Sequence, residues 1–199
     1  MGCIIYLKIK ENQKFMKINR TLGSLILLII ISSLYRIMPN RPLGFAPQIA
    51  MALFAGSVIL DRKSAFMVPL LSMLISDIFY QILYLNGMSD IPGFYDGQVI
   101  NYALFGLITS IGFSMKQNIK SILSKSLLAA TSYFIISNFL VWMTSGMYKI
   151  TLEGLISCYY MAIPFFTGSL YATVIFNLLL FTGYNLTKLS NNDLNPIKY

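Results

Sequence analysis

Residues 45–85 read FAPQIAMALFAGSVIL-DRK-SAFMVPLLSMLISDIFYQILYL: an apolar run, a three-residue charged turn, and a second apolar run. Two such runs joined by Asp61-Arg62-Lys63 are read as membrane helices meeting at a basic turn, since about 20 apolar residues cross a hydrocarbon core of about 30 Å. Working outward, the same pattern recurs. Apolar stretches cover roughly 22–38, 45–60, 64–85, 98–115, 123–143 and 164–183. Basic residues collect before the first stretch and after the second, fourth and sixth. They are Lys8, Lys10, Lys14, Lys17, Arg20, then Arg62 and Lys63, then Lys116, Lys120 and Lys125, then Lys188 and Lys198. Of the fifteen Lys and Arg residues, only Arg36, Arg41 and Lys149 break the alternation. Basic residues stay on the cytoplasmic side, so the chain is expected to cross the plasma (inner) membrane six times with both termini cytoplasmic.

Composition agrees. The chain of 199 residues is 56% hydrophobic and 11% charged, against about 25% charged in an ordinary soluble domain. The net charge of +8 is accounted for by the cytoplasmic bias and by anionic lipid. No basic face with interleaved aromatics lies outside the spans, so nucleic acid is not an expected partner. There is no histidine, and Cys3 and Cys158 are expected on opposite sides of the membrane. Catalytic imidazoles, histidine metal sites and a disulfide are thereby excluded. HExxH, GxSxG and GxxxxGK[ST] are all absent. No enzyme activity, metal or cofactor is expected.

The expected layout is a basic N-terminal segment over 1–21, a membrane domain over 22–187 and a cytoplasmic tail over 188–199. Met16-Lys17-Ile18-Asn19-Arg20 is an ordinary beginning for such a protein, and residues 1–15 are read as a translation-start artefact. Pro39–Gly44, Asn86–Gln98 and Gly146–Ile163 are the expected outer connections. From Gly154 to Thr187 no residue is charged, a run of 34 positions that would make a helix of about 51 Å, too long for one span. Proline suits the first turn of a helix. The sixth span is therefore expected to start near Pro164, after a separate outer helix over 152–161 capped by Thr151.

Asp77 is the one acidic residue inside an expected span. A charge there costs about 2.5–3.5 kcal/mol on insertion scales and needs a partner. It is either a structural acid bonded to neighbouring hydroxyls or to Arg36, or part of a ligand site. Gln81 shares its helix face. Gln48, Asn101, Asn138 and Trp142 also favour the outer half of their helices, and the six are candidate lining residues of an outward-facing pocket. Asp77, Asn138 and Trp142 are expected to face one cavity. The alternative is that these groups only bond helices together, as Asn177 is expected to do. Ala46, Ala50, Ala52 and Gly56 form two small-xxx-small pairs, suited to packing inside the bundle or to docking a partner subunit.

Several stretches carry a resemblance. They are Phe45-Ala46-Pro47, Ala52-Leu53-Phe54-Ala55-Gly56, Val68-Pro69-Leu70-Leu71, Ser76-Asp77, Ser137-Asn138-Phe139 with Trp142, Thr151-Leu152, Gly154-Leu155, Cys158-Tyr159 and Ala162-Ile163-Pro164-Phe165-Phe166. From Arg36 to Gly183 the chain resembles a bacterial family of six-helix transport proteins. That family is similar in turn to the substrate-binding S components of energy-coupling-factor (ECF) vitamin transporters. The resemblance implies an all-α, S-component-like bundle that captures a vitamin- or metabolite-like molecule from outside. It also implies partnership with an ECF-type transmembrane subunit and ATPase subunits. The competing expectation is a structural or assembly protein of the membrane.

Overall fold

The computed structural model describes the backbone of Gly23 and of residues 26–193, and side chains as far as residue 186. The expected N-terminal segment 1–21, with Cys3 and its five basic residues, lies outside the described residues, as does the tail from 194 onward. The described residues form six helices and no strand. These are α1 (Ile26–Ile37), α2 (Gln48–Val58), α3 (Arg62–Leu85), α4 (Gln98–Gly112), α5 (Ile119–Thr144) and α6 (Leu152–Asp193).

Three of them, α3, α5 and the Leu152–Leu186 part of α6, are long and apolar enough to cross a membrane. The protein is a membrane protein on that ground. Of the others, α2 and α4 are shorter than the apolar stretches that announce them. The 11 residues of α2 rise only about 16 Å, half a hydrocarbon core.

Burial explains why α2 tolerates this. Every residue from Gln48 to Gly56 is buried, as expected of a helix that is apolar all round. It packs against α3, α4, α5 and α6. Its closest approach is to α4. A Cβ on Gly56 would stand 2.3 Å from the Thr109 carbonyl oxygen, and one on Gly112 would stand 2.5 Å from that of Leu53. Only glycine fits at both places. Ala50, Ala52 and Gly56 are thus committed to packing inside the chain, and Ala46 is half-buried beside α2. The partner-docking expectation does not suit Ala50, Ala52 and Gly56, which the chain's own helices enclose; Ala46 lines a cavity described below.

Local caps follow the sequence. Asp61 precedes α3 and accepts from the Ser64 amide (2.8 Å) and hydroxyl (2.6 Å). These bonds hold its carboxyl below the usual value. Asn118 does the same for α5 through the Ser121 amide, 2.8 Å. Thr151 caps α6 through the Gly154 amide, 3.2 Å.

Helix α6 corrects the expected break. It runs 42 residues with Pro164 inside it, about 63 Å at 1.5 Å per residue. Proline removes one intrahelical hydrogen bond, and α5 supplies the compensating support. The Phe134 ring packs on Tyr159 before the proline (5.4 Å) and on Phe166 after it (4.6 Å). The Tyr159 hydroxyl also donates to the Ile135 carbonyl, 2.6 Å. One side chain of α5 therefore splints α6 across Pro164.

The connections gather at two ends. Ser57 Oγ donates to the Met115 carbonyl (3.0 Å), and the Arg62 guanidinium lies 5.0 Å from the centre of the Phe113 ring. The α2–α3 and α4–α5 turns, with Arg62, Lys63, Lys116 and Lys120, share that end. Residues of the α1–α2, α3–α4 and α5–α6 connections meet around a cavity.

Candidate ligand cavity

Asp77 sits at 1% exposure on α3, bonded in a knot to three partners. Its Oδ1 pairs with Arg36 of α1. Its Oδ2 accepts from Gln98 Nε2 and from the Tyr102 hydroxyl of α4, both at 2.6 Å. Arg36 also donates to Ser76 Oγ at 2.6 Å and to the Met73 carbonyl at 3.3 Å. The Tyr80 hydroxyl donates back to the Arg36 carbonyl, 2.7 Å. A buried carboxylate requires such pairing. The knot ties α1, α3 and α4 together, and the Asp77 charge is spent inside it.

Next to this knot lies an open cavity of about 730 Å³, lined mainly by the α1–α2 connection, α2, α4, α5 and α6. Six aromatic side chains contribute to its wall: Phe105, Tyr133, Phe134, Tyr148, Phe165 and Phe166. Its polar side chains, apart from the tyrosines, are Arg36, Arg41, Gln48, Asn101, Ser137, Asn138 and Ser169, with the Cys158 thiol. The cavity is of drug-sized dimensions with an apolar wall and few polar groups, the usual make-up of a ligand site.

The α1–α2 connection reaches this place because glycine lets it lie on α6. Gly44 has φ +69°, and a Cβ there would meet the Phe165 carbonyl oxygen at 2.0 Å. On the facing side, a Cβ on Gly168 would meet the Leu43 carbonyl oxygen at 1.9 Å. Beyond it the Phe45 ring packs with Tyr35 (6.4 Å) and Phe176 (5.7 Å). Arg41 is thereby held at the edge of the cavity.

Of the six candidate residues, Gln48, Asn101 and Asn138 line the cavity, and Asp77, Gln81 and Trp142 do not. The Asn101 amide is held between two tyrosines, donating to Tyr95 (3.0 Å) and accepting from Tyr133 (2.8 Å). Asn138 Nδ2 donates to the Phe134 carbonyl, 2.7 Å. Gln81 Oε1 accepts from the amides of Gly93 (3.1 Å) and Phe94 (3.3 Å), so it fixes the α3–α4 connection. Trp142 donates to the Lys149 carbonyl, 3.0 Å, and packs on Phe139. The expected common cavity for Asp77, Asn138 and Trp142 is therefore corrected to Asn138 alone. Asp77 is turned into the ion-pair knot and Trp142 into the α5–α6 turn. Asn177 bonds Ser126 of α5 at 2.8 Å, as interhelical bonding requires.

Sequence reasoning passed over Arg41 and the aromatic wall. A signal for Arg41 was present, since Arg36 and Arg41 are two of the three basic residues outside the alternation. Both line the cavity.

Residues 16–194 match a protein family. The chain belongs to DUF6580, a family of unknown function. No curated protein and no solved structure matches it. Family membership thus carries no activity to this chain, and the DUF6580 cavity has to be read from its own residues.

Proposed function

We propose that the chain is a six-span protein of the inner membrane that captures a small molecule from the outer side and serves its import. The role is like that of an S component, with energy supplied by separate ATPase subunits. The carrying observation is the cavity of about 730 Å³ with its aromatic wall and few polar side chains. Two further features support the reading. The cavity lies among the connections expected outside, away from the basic turns at Arg62 and Lys116. The sequence holds no GxxxxGK[ST] motif, which agrees with energy supplied by a partner.

Mild-detergent purification followed by native mass spectrometry tests this. The wild type is expected to carry a small non-lipid molecule. Ala162→Trp, which fills the cavity from α6, is expected to lose it while remaining folded. A wild-type protein that carries nothing, or a filled variant that retains the same molecule, overturns the reading.

A structural or assembly role is the second reading. It is favoured by Asp77 and Gln81, whose polar groups are spent on internal bonds.

A further inference from the structure

We propose that the cavity takes a flat organic acid bearing an N–H or O–H donor remote from its carboxylate. This rests on the reading that the cavity holds a small molecule, and it names that molecule's chemistry.

The charge comes first. The charged residues lining the cavity are Arg36 and Arg41. Arg36 is neutralised by Asp77, and that is the ion pair found among the described residues. Arg41 has no carboxylate partner among them. Its Nη1 makes only a long bond, 3.4 Å, to the Phe45 carbonyl. The cavity therefore presents one uncompensated cation, and a guanidinium fork matches a carboxylate in plane and spacing.

The second observation is independent. Gln48 is 3% exposed. Its Nε2 donates to the Ser32 carbonyl of α1, 3.2 Å. That carbonyl is an acceptor, so it fixes which end of the amide faces it. Gln48 Oε1 is left buried and without a partner. Buried acceptors are ordinarily satisfied, and Gln48 lines the cavity, so a ligand there is the source of a donor for Oε1. A ligand donor satisfies it; a cation or a second acceptor does not suit Arg41 or Oε1.

The body of the ligand follows from the wall. Tyr133, Phe134, Phe165 and Phe166 offer ring surfaces on which a flat ring packs offset or edge-on. An acyl-chain acid from the bilayer shares the carboxylate and the apolar body, but it lacks the remote donor.

The test uses the full chain in nanodiscs of zwitterionic lipid, with four probes measured by titration calorimetry. Indole-3-acetate has the acid and the N–H. Naphthalene-1-acetate keeps the acid and loses the N–H. Tryptamine keeps the N–H and replaces the acid by an amine. Decanoate is a flexible acid. Indole-3-acetate is expected to bind, and naphthalene-1-acetate to bind about 10-fold more weakly, the loss of one hydrogen bond to a buried acceptor. Decanoate is expected to be weaker still, and tryptamine not to bind. Gln48→Met should erase the difference between the two ring acids. Arg41→Gln should weaken both by about 10-fold, as loss of a charge-assisted bond does. If Gln48→Met does not fold, Gln48→Glu serves instead and should shift preference toward tryptamine.

Tryptamine binding as well as the acid, or equal binding of the two ring acids, overturns the proposal. Decanoate matching indole-3-acetate assigns the cavity to lipid anions and also overturns it. Failure of all four probes to bind overturns this chemistry as well. The import reading is judged separately, by the molecule that co-purifies.

Discussion

Arg36 lines the cavity, and Asp77, its ion-pair partner, does not. Asp77 acts on the cavity only by holding Arg36 in place and cancelling its charge. An acid inside a membrane span, which on sequence grounds is a candidate ligand group, is here a structural one.

Asp77→Asn is accordingly expected to lower the yield of folded protein rather than to alter ligand choice. Removing one member of a buried ion pair costs about 3–5 kcal/mol, because the other charge stays buried and unpaired. Arg36→Met should behave alike, and the double variant should recover much of the loss. Size-exclusion profiles and thermal unfolding of the three variants check this. A fully folded Asp77→Asn protein that has lost only binding would contradict it.

Gly56→Val and Gly112→Val are each expected to prevent folding, because backbone oxygen lies 2.3 and 2.5 Å from the Cβ that either would add. Gly106 on the same helix α4 has nothing within 4 Å of its Cβ position. Gly106→Ala is expected to be neutral or to stabilise by about 0.5–1 kcal/mol. Thermal unfolding of the three proteins separates close helix packing from a general effect of adding a methyl group.

Phe134→Ala removes the ring that bridges Pro164. Two aromatic contacts are lost, worth about 0.5–1.5 kcal/mol each beyond area. The expected result is a destabilised protein in which hydrogen exchange rises locally at residues 158–168. Uniform exchange along α6 would show that the proline turn does not depend on α5.

Much of this was open to sequence reading, and the failures share a cause. The α3 and α5 stretches, the charged turn at Asp61-Arg62-Lys63 and the Thr151 cap follow from apolar length and local capping, which need only near neighbours. The continuity of α6 did not follow, because Pro164 is tolerated through Phe134, 30 positions away in sequence. Gln48, Asn101 and Asn138, singled out as polar residues in the outer halves of their helices, line the cavity. Asp77, Gln81 and Trp142 passed the same test, but their bonds turn them elsewhere, into the ion-pair knot, the α3–α4 connection and the α5–α6 turn. Arg41 was missed because it reaches the cavity only where Gly44 and Gly168 let a connection lie on α6.

The side of the membrane is a separate prediction. In a background with Cys3 and Cys158 changed to Ser, a single cysteine at Ser89 is expected to react with an impermeant reagent on intact cells. One at Lys120 is expected to react only after lysis. Labelling at 120 and not at 89 would invert the proposed orientation and turn the cavity inward.

The most direct measurement is an experimental density map of the protein purified from the membrane that makes it. The proposed function predicts compact non-protein density in the cavity, in contact with Gln48 and the Phe165 and Phe166 rings. Side chains collapsed into that space, with no room for a ligand, would contradict it.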